Sequence, residues 1–391
     1  MRILRLHSWA GSTYGGVEVY LQRLSRALDA RGHIDVTAAL VTDPLPESLR
    51  FVRPYLISGS ERRRWIEEAL SPDGITHWLD RVAAEVRPDV IHLHHFKSGF
   101  SVIGPWLARR PEPVVFTAHT AELVCPIGTL TLPNGAPCPG GILPRCQFTG
   151  CEVGLGLPLN LAQRRSFDVH VRPRVGRYIC VSRATRRIFD GLGYGPTALL
   201  RPPIPTPDRA AHEPTGPFTI GFFGRFVPVK GLDVLLRALR MVREQRPEVH
   251  LRLAGSGPVA VADIENLHRD GWVSDAGLWF DQIHVLVVPS LGWENLGNSA
   301  IEALGYGVPV IVSDAGGLPE TVGEYGTVVP KGSPRSLADA ILATASDYPA
   351  RRRLAQRGRD WVRKEFSPDR HYDELLAIYE SVRGHGPPRA S

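Results

Sequence analysis

The chain has 391 residues, 43% of them hydrophobic and 22% charged, with a formal net charge of +6. This composition is typical of a folded globular protein and argues against disorder, and the length favours two domains. The sequence has no run of about 20 apolar residues and no basic tract interleaved with aromatics, so neither a membrane-spanning helix nor a nucleic-acid partner is expected.

The N-terminal segment predicts a strand over residues 2–7, a glycine-containing turn and a helix over Val17–Ala30. Gly15 and Gly16 stand directly before that helix, where glycine lets the backbone approach a ligand closely. The turn lacks the GxGxxG spacing, so a dinucleotide site is not predicted. The segment also lacks the apolar core of a signal peptide, and we expect a cytoplasmic enzyme.

Basic residues are concentrated in the first half of the chain. Residues 1–207 contain 25 Lys and Arg against 17 Asp and Glu, whereas the rest contains 21 against 23. A solvated, arginine-rich surface explains this excess. It would also suit an anionic acceptor or peripheral contact with the inner face of a membrane.

Two predicted strands carry histidines at or near their ends. The first includes His92 and His94, which share one strand face, and runs into His95. No carboxylate cluster in the local sequence completes a metal site, so a structural or loop role is expected for these three. The second strand, 113–118, ends at His119, and the carboxyl end of a parallel strand is where ligand-binding groups lie.

Four of the five cysteines fall in one loop rich in glycine and proline, namely Cys125, Cys138, Cys146 and Cys151. A structural zinc held by four thiolates is chemically sound, although the loop contains no CxxC chelate. Reduced structural thiols are the main alternative, and disulfides would require an oxidising compartment. The clustering favours zinc among these three interpretations.

A segment rich in proline, Pro205–Pro217, predicts the linker between two domains. We therefore place an N-terminal domain at 1–205 and a C-terminal domain at 206–367. An amphipathic helix is predicted over 368–383, and the tail 384–391 is expected to be flexible.

The second domain begins with a buried strand over Phe218–Gly224. Arg225 and Lys230 bracket the loop after it, where they could neutralise a diphosphate, arginine through its planar fork and lysine as a point charge. A strand over His250–Ala254 follows and ends in a glycine turn.

A βαβ unit lies further along, with a strand at Val285–Val288, a helix at Leu296–Tyr306 and a strand at Val310–Val312. Glu294 precedes the helix, and Glu302 lies two turns into it. Backbone N–H groups at a helix start favour a phosphate there, and ionised carboxylates accept hydrogen bonds from sugar hydroxyls.

These motifs resemble the donor site of the retaining glycosyltransferases of family 4, which have the glycosyltransferase B fold. One matching motif is G-R-x-x-x-x-K-G over 224–231. The other comprises Glu294, Glu302, Ala303, Gly307, Pro309, Val310, Ile311, Gly316, Gly317 and Glu320. The chain departs from the family pattern in Asn295-Leu296-Gly297, where many members have Gly-Phe-Gly, and in Thr120, where an Asp often follows the histidine.

The resemblance implies an α/β fold of two Rossmann-like βαβ domains facing each other across a cleft, with helix 368–383 packing back on the first. It implies a retaining, metal-independent transfer from a nucleotide-diphosphate sugar, with UDP favoured over GDP, to a hydroxyl of a saccharide, glycolipid or natural product. The implied catalytic residues are His119, Arg225, Lys230 and Glu294. The implied donor-binding residues are Gly15, Gly16, Gly271, Val273, Asn295, Leu296, Gly297 and Glu302.

Two other functions fit the same motifs. The fold would also serve a phosphorylase-like or epimerase-like enzyme, because fold alone does not fix the reaction. A non-catalytic subunit that binds nucleotide sugars is the third alternative, and the presence of Arg225, Lys230, Glu294 and Glu302 argues against it.

Overall fold

A computed structural model describes residues 1–9, 16–41, 51–56, 72–94, 100–121, 123–125, 128–132, 138, 146, 151 and 156–384. The predictions made for Gly15, His95 and residues 385–391 lie outside the described residues. The described chain divides into two compact units. The first contains the residues up to Pro202 and those from Asp369 onward, and the second contains Pro203–Pro368.

The first unit is built on a seven-stranded sheet in which every neighbouring pair is parallel. Its strand order is β3-β2-β1-β4-β5-β6-β7. The strands are β1 (Arg2–Trp9), β2 (Ile34–Val41), β3 (Val52–Leu56), β4 (Val90–Leu93), β5 (Val114–Ala118), β6 (Val175–Cys180) and β7 (Thr197–Leu199).

Helices follow most of these strands in the described chain, as is usual for connections between parallel strands. They are α1 (Gly16–Ala30), α2 (Pro72–Val86), α3 (Phe100–Ala108), α4 (Gly156–Ser166), α5 (Arg183–Gly191) and, at the end of the chain, α12 (Pro368–Gly384). One hydrophobic cluster joins α12 to α1 and the sheet, through the residues Ile3, Leu21, Leu24, Leu375, Tyr379 and Val382 among others. The last helix is therefore part of the first unit's core.

The second unit has a six-stranded parallel sheet in the order β10-β9-β8-β11-β12-β13. The strands are β8 (Thr219–Phe223), β9 (His250–Ala254), β10 (Leu267–Gly271), β11 (Val285–Val288), β12 (Val310–Ser313) and β13 (Thr327–Val329). The helices are α6 (Leu232–Arg243), α7 (Ala276–Phe280), α8 (Asn298–Gly305), α9 (Leu318–Val322), α10 (Pro334–Ser346) and α11 (Tyr348–Glu365).

Both sheets reverse their strand order once, between β1 and β4 in the first unit and between β8 and β11 in the second. In open α/β sheets, ligands bind outside the carboxyl ends of the strands at this reversal point. The central strands are buried along their length, which explains why they appear in the sequence as unbroken apolar runs. The predicted α/β class with two parallel sheets is confirmed.

The structure differs from the sequence predictions in local detail. The helix predicted over Leu296–Tyr306 begins two residues later, at Asn298, because Gly297 is its N-cap. The sequence predicts one helix over Leu157–Arg172, whereas in the structure the helix ends at Ser166 and is followed by a π-helical turn. Cys180 is buried at the end of β6, and burial raises its pKa to about 12. Within the described residues, no helix is long and apolar enough to cross a membrane.

Candidate active site

The loop after β8 places Lys230 at the carboxyl edge of the second sheet. Pro228–Lys230 forms a short 3₁₀ turn, and Gly231 follows in the left-handed region at φ 70°. A Cβ at Gly231 would lie 2.0 Å from the carbonyl oxygen of Pro289, so only glycine fits there. The amide of Leu291 donates to the carbonyl of Val229 at 2.8 Å. The loops after β8 and β11 are therefore held together through their backbones.

Glu294 is held by two donors in this arrangement. Lys230 Nζ lies 2.6 Å from Glu294 Oε1, and Ser290 Oγ donates to the same oxygen at 2.7 Å. The side chains of Lys230 and Glu294 are 28% and 15% exposed, so solvent screens their attraction only in part. Ser313 Oγ donates to the carbonyl of Ser290 at 2.6 Å and fixes the end of β11 against β12. The carboxylate is oriented before any ligand binds.

Two glycines after β12 support the backbone of Glu294. The amide of Gly317 donates to the carbonyl of Glu294 at 2.6 Å. A Cβ at Gly316 would lie 2.3 Å from that carbonyl oxygen, and one at Gly317 would lie 2.1 Å from the carbonyl oxygen of Asn295. Asn295 also accepts a hydrogen bond from Trp293 Nε1 through its side-chain oxygen, at 2.8 Å. The loop with the two glycines, Gly316 and Gly317, thus packs through its backbone directly against the segment that carries Glu294.

Helix α8 begins directly after this segment. Its N-cap is Gly297, which has no side chain to accept hydrogen bonds from the first N–H groups of the helix. Such a start favours an anion. The side chain of Leu296 is buried. A nucleotide sugar would therefore contact this residue through its backbone. Glu302 is half-buried on α8.

The ends of β8, β9 and β10 are tied together by glycine backbones. The amide of Gly255 donates to the carbonyl of Gly271 at 2.6 Å, and a Cβ at Gly255 would lie 2.0 Å from the carbonyl oxygen of Gly224. Arg225 follows Gly224 with an exposed side chain. Val273 is half-buried, whereas Trp272 beside it is 85% exposed.

His119 belongs to the first unit, where it follows β5 and is half-buried. His94 Nδ1 lies 2.9 Å from His119 Nε2, and the ring of Tyr20 packs edge-on against His119 with centroids 5.1 Å apart. Gly16 is the first residue of α1. The structural role predicted for His92 agrees with its contacts, because it lies between Tyr379 Oη and Thr117 Oγ1 at 2.7 Å each.

All five cysteines lie in the described residues and are thiols without disulfides. Among the described residues, no group of three or more His, Cys, Asp or Glu side chains is arranged to hold a metal ion. Most of the loop around Cys125, Cys138, Cys146 and Cys151 lies outside the described residues, so the structural zinc stays a prediction.

Two residues near the predicted site were not singled out as functional by sequence reasoning. Ser290 lies two residues after β11 and four residues before Glu294, and a hydroxyl just beyond the carboxyl end of a parallel strand is the signal that could have identified it. His94 was assigned only a structural role, because its proximity to His119 depends on the pairing of β4 with β5.

Ser290 gives a first testable prediction. Ser290→Ala removes one of the two donors to Glu294 Oε1, and we expect kcat/KM for the sugar transfer that the sequence resemblance implies to fall about tenfold, the usual magnitude for one such hydrogen bond. The exposed Ser346, at the end of α10, provides the control, and Ser346→Ala should leave the rate unchanged. An unchanged rate in Ser290→Ala would mean that Lys230 alone orients the carboxylate.

Two protein-family models together match most of the chain. Residues 14–206 match the family described as Glycosyltransferase Family 4, and residues 217–347 match the one described as Glycosyl transferases group 1. A D-inositol 3-phosphate glycosyltransferase from Saccharomonospora viridis is 30% identical over 403 residues, which cover 94% of this chain and 89% of the relative. A phosphatidyl-myo-inositol mannosyltransferase from Mycobacterium leprae is 26% identical, with 99% and 98% covered.

A solved structure is similar in fold. The HepE protein from Anabaena, in complex with UDP and glucose, matches with a TM-score of 0.71 over 97% of this chain and 100% of its own. At 18% sequence identity, this likeness concerns the fold alone.

Proposed function

Because the chain belongs to glycosyltransferase family 4, within the group 1 glycosyl transferases, we propose that it moves a sugar from a nucleotide-diphosphate sugar to an acceptor hydroxyl with retention of anomeric configuration. The observation that carries this proposal is the contact of Lys230 with Glu294 at the strand-order reversal of the second sheet. It puts a cation for phosphate and a carboxylate for sugar hydroxyls side by side.

The leaving diphosphate needs positive charge. Arg225 and Lys230 follow β8, and the start of α8 supplies N–H groups and the positive end of a helix dipole. An ammonium group has three donors, so Lys230 can keep its contact with Glu294 while it binds a phosphate oxygen. These fixed groups would stabilise the charge that develops on the leaving group, and no catalytic metal is required in this scheme.

The remaining predicted residues bind the other parts of the nucleotide sugar. In this proposal Glu294 holds the sugar hydroxyls, Glu302 holds the ribose, and backbone groups of Gly271 and Val273 contact the base. His119 contacts the sugar near its anomeric carbon. Gly15 and Gly16 approach the diphosphate.

The proposed reaction is a same-face substitution. The bond between the anomeric carbon and the diphosphate oxygen breaks, and the acceptor oxygen bonds to the anomeric carbon on the face that the diphosphate leaves. The acceptor proton passes to the leaving phosphate. The barrier is lowered by positioning and by the cations around the diphosphate.

The relatives narrow the substrates to be tested. A UDP sugar is favoured, in line with the UDP and glucose in the HepE complex, and a GDP sugar is the second choice. The acceptor is a hydroxyl of a saccharide, a glycolipid or a natural product, and the named relatives make inositol phosphates and phosphatidylinositol suitable probes. We also propose peripheral contact with an anionic membrane surface at the cytoplasmic face, which the basic excess of residues 1–207 supports.

Calorimetric titration with UDP-glucose, GDP-mannose and dTDP-glucose tests the donor site. We expect one of them to bind in the micromolar range, and Glu302→Ala to weaken its binding by about 10- to 100-fold through loss of charged hydrogen bonds. Glu324→Ala, at an exposed position after α9, is the matched control and should bind normally. If the folded wild type binds none of them, the proposed donor class is wrong.

A further inference from the structure

We propose that His94 is a positioning residue that fixes the tautomer of His119, so that His119 presents its Nδ1–H as a hydrogen-bond donor to the sugar. The proposal rests on the role given to His119 in the proposed function. It adds a residue on the neighbouring strand that determines which nitrogen of His119 carries the proton.

One nitrogen of the His94 ring lies within hydrogen-bond distance of one nitrogen of the His119 ring. His94 Nδ1 lies 2.9 Å from His119 Nε2, and the rings are inclined by only 27°. One of these nitrogens must donate and the other must accept. The other ring nitrogen of His94, Nε2, is buried and has no hydrogen-bond partner among the described atoms.

His94 is held neutral by its surroundings. Its side chain is 1% exposed, and burial, with smaller contributions from His92 and His119, holds its pKa well below the usual range. A neutral imidazole carries one proton. If that proton were on Nε2, a buried N–H group would lack an acceptor, and such unsatisfied donors are rare in proteins because they lose their hydration without compensation.

The proton of His94 therefore belongs on Nδ1, which donates to His119 Nε2. His119 Nε2 must then be an unprotonated acceptor, so the ring proton of His119 is on Nδ1. An N–H at that position can donate to a sugar hydroxyl or ring oxygen but cannot accept a proton from one. His119 then acts by hydrogen bonding to the donor sugar and not as a general base.

Neighbouring rings restrict His94 to this orientation. His92 lies against it with ring centroids 4.0 Å apart and is itself held by Tyr379 Oη and Thr117 Oγ1. Tyr20 packs on the His119 ring, and its hydroxyl is 3.1 Å from His371 Nε2. Since Tyr379 and His371 are both on α12, the last helix holds His92 and Tyr20, whose rings pack against His94 and His119.

Nitrogen NMR of the wild-type protein labelled with ¹⁵N-histidine measures the tautomer without any substrate. Comparison with His119→Ala assigns the His119 signals. We expect His119 to be protonated at Nδ1 and unprotonated at Nε2. A proton on His119 Nε2, alone or together with one on Nδ1, overturns the proposal.

Substitutions test whether the tautomer matters for transfer. Asparagine and leucine have nearly the same shape, and only asparagine keeps an N–H donor at the δ position of residue 94. With the nucleotide sugar selected by calorimetry, we expect His94→Leu to lower kcat about tenfold with little change in KM, and His94→Asn to recover most of that loss. His94→Gln, with its amide nitrogen one bond further out, should resemble His94→Leu. Equal kcat values in folded His94→Leu and wild type overturn the proposal.

His119→Ala separates this inference from the proposed function. If His119→Ala transfers sugar at the wild-type rate, the role proposed for His119 is wrong and the inference falls with it. If His119→Ala is impaired while folded His94→Leu is not, the proposed function stands and only the role of His94 is wrong. The NMR result decides the tautomer in either case.

Discussion

Lys230→Met is expected to lower kcat for sugar transfer by about 100- to 1,000-fold, the range found when one preorganised electrostatic partner of a transition state is removed. Lys230 is the cation in direct contact with Glu294, at 2.6 Å, and it lies in the loop expected to face the diphosphate. Steady-state transfer rates at saturating donor measure the effect. Lys364→Met, at an exposed position on α11, is the matched control and should keep full activity.

The double variant Lys230→Met with Glu294→Gln identifies the origin of this loss. If Lys230 acts only by holding Glu294, the two losses will not add, because residues in contact act as a unit. If it also stabilises the leaving diphosphate, the double variant will be slower than Glu294→Gln alone. A rise in KM with kcat unchanged would show that Lys230 contributes only to ground-state binding, and the proposed mechanism would be wrong.

Gly317→Ala is expected to reduce the free energy of unfolding by about 3 kcal/mol, at the upper end of the usual cost of overpacking, and to weaken donor binding. The backbone of Gly317, at φ −86° and ψ −1°, is open to any residue, so the effect isolates the missing side chain. The new Cβ would lie 2.1 Å from the carbonyl oxygen of Asn295, and backbone atoms cannot give way as a side-chain tip can. Thermal unfolding and calorimetric titration measure the two effects.

Gly305→Ala is the control for this substitution. Gly305 lies on α8 in the same unit, and its nearest neighbour would be 3.6 Å from the new Cβ, an ordinary van der Waals contact. Stability and donor binding should both be retained. If Gly317→Ala behaves like Gly305→Ala, the loop with the two glycines does not fix the position of Glu294.

The sequence alone determined the class of the fold and predicted where the donor motifs lie. Parallel strands that are buried on both faces appear in the sequence as apolar runs such as Val285–Val288. Charged residues lie in the loops after these strands, so Lys230 and Glu294 could be identified as candidates from the sequence. Helix boundaries were less exact, because Gly297 can serve equally as a loop residue and as an N-cap. These features depend on short stretches of chain, which periodicity and turn chemistry describe well.

Only the tertiary structure determined which side chains touch. Ser290 and Lys230 share one oxygen of Glu294 because β8 and β11 are neighbours in the sheet, although 60 residues of sequence separate Lys230 from Ser290. His94 meets His119 because β4 pairs with β5. The order of strands in a sheet follows from the packing of the whole domain, and no local pattern contains it. The motifs therefore predict the kind of reaction, whereas the tertiary contacts show which residues orient the groups proposed to carry it out.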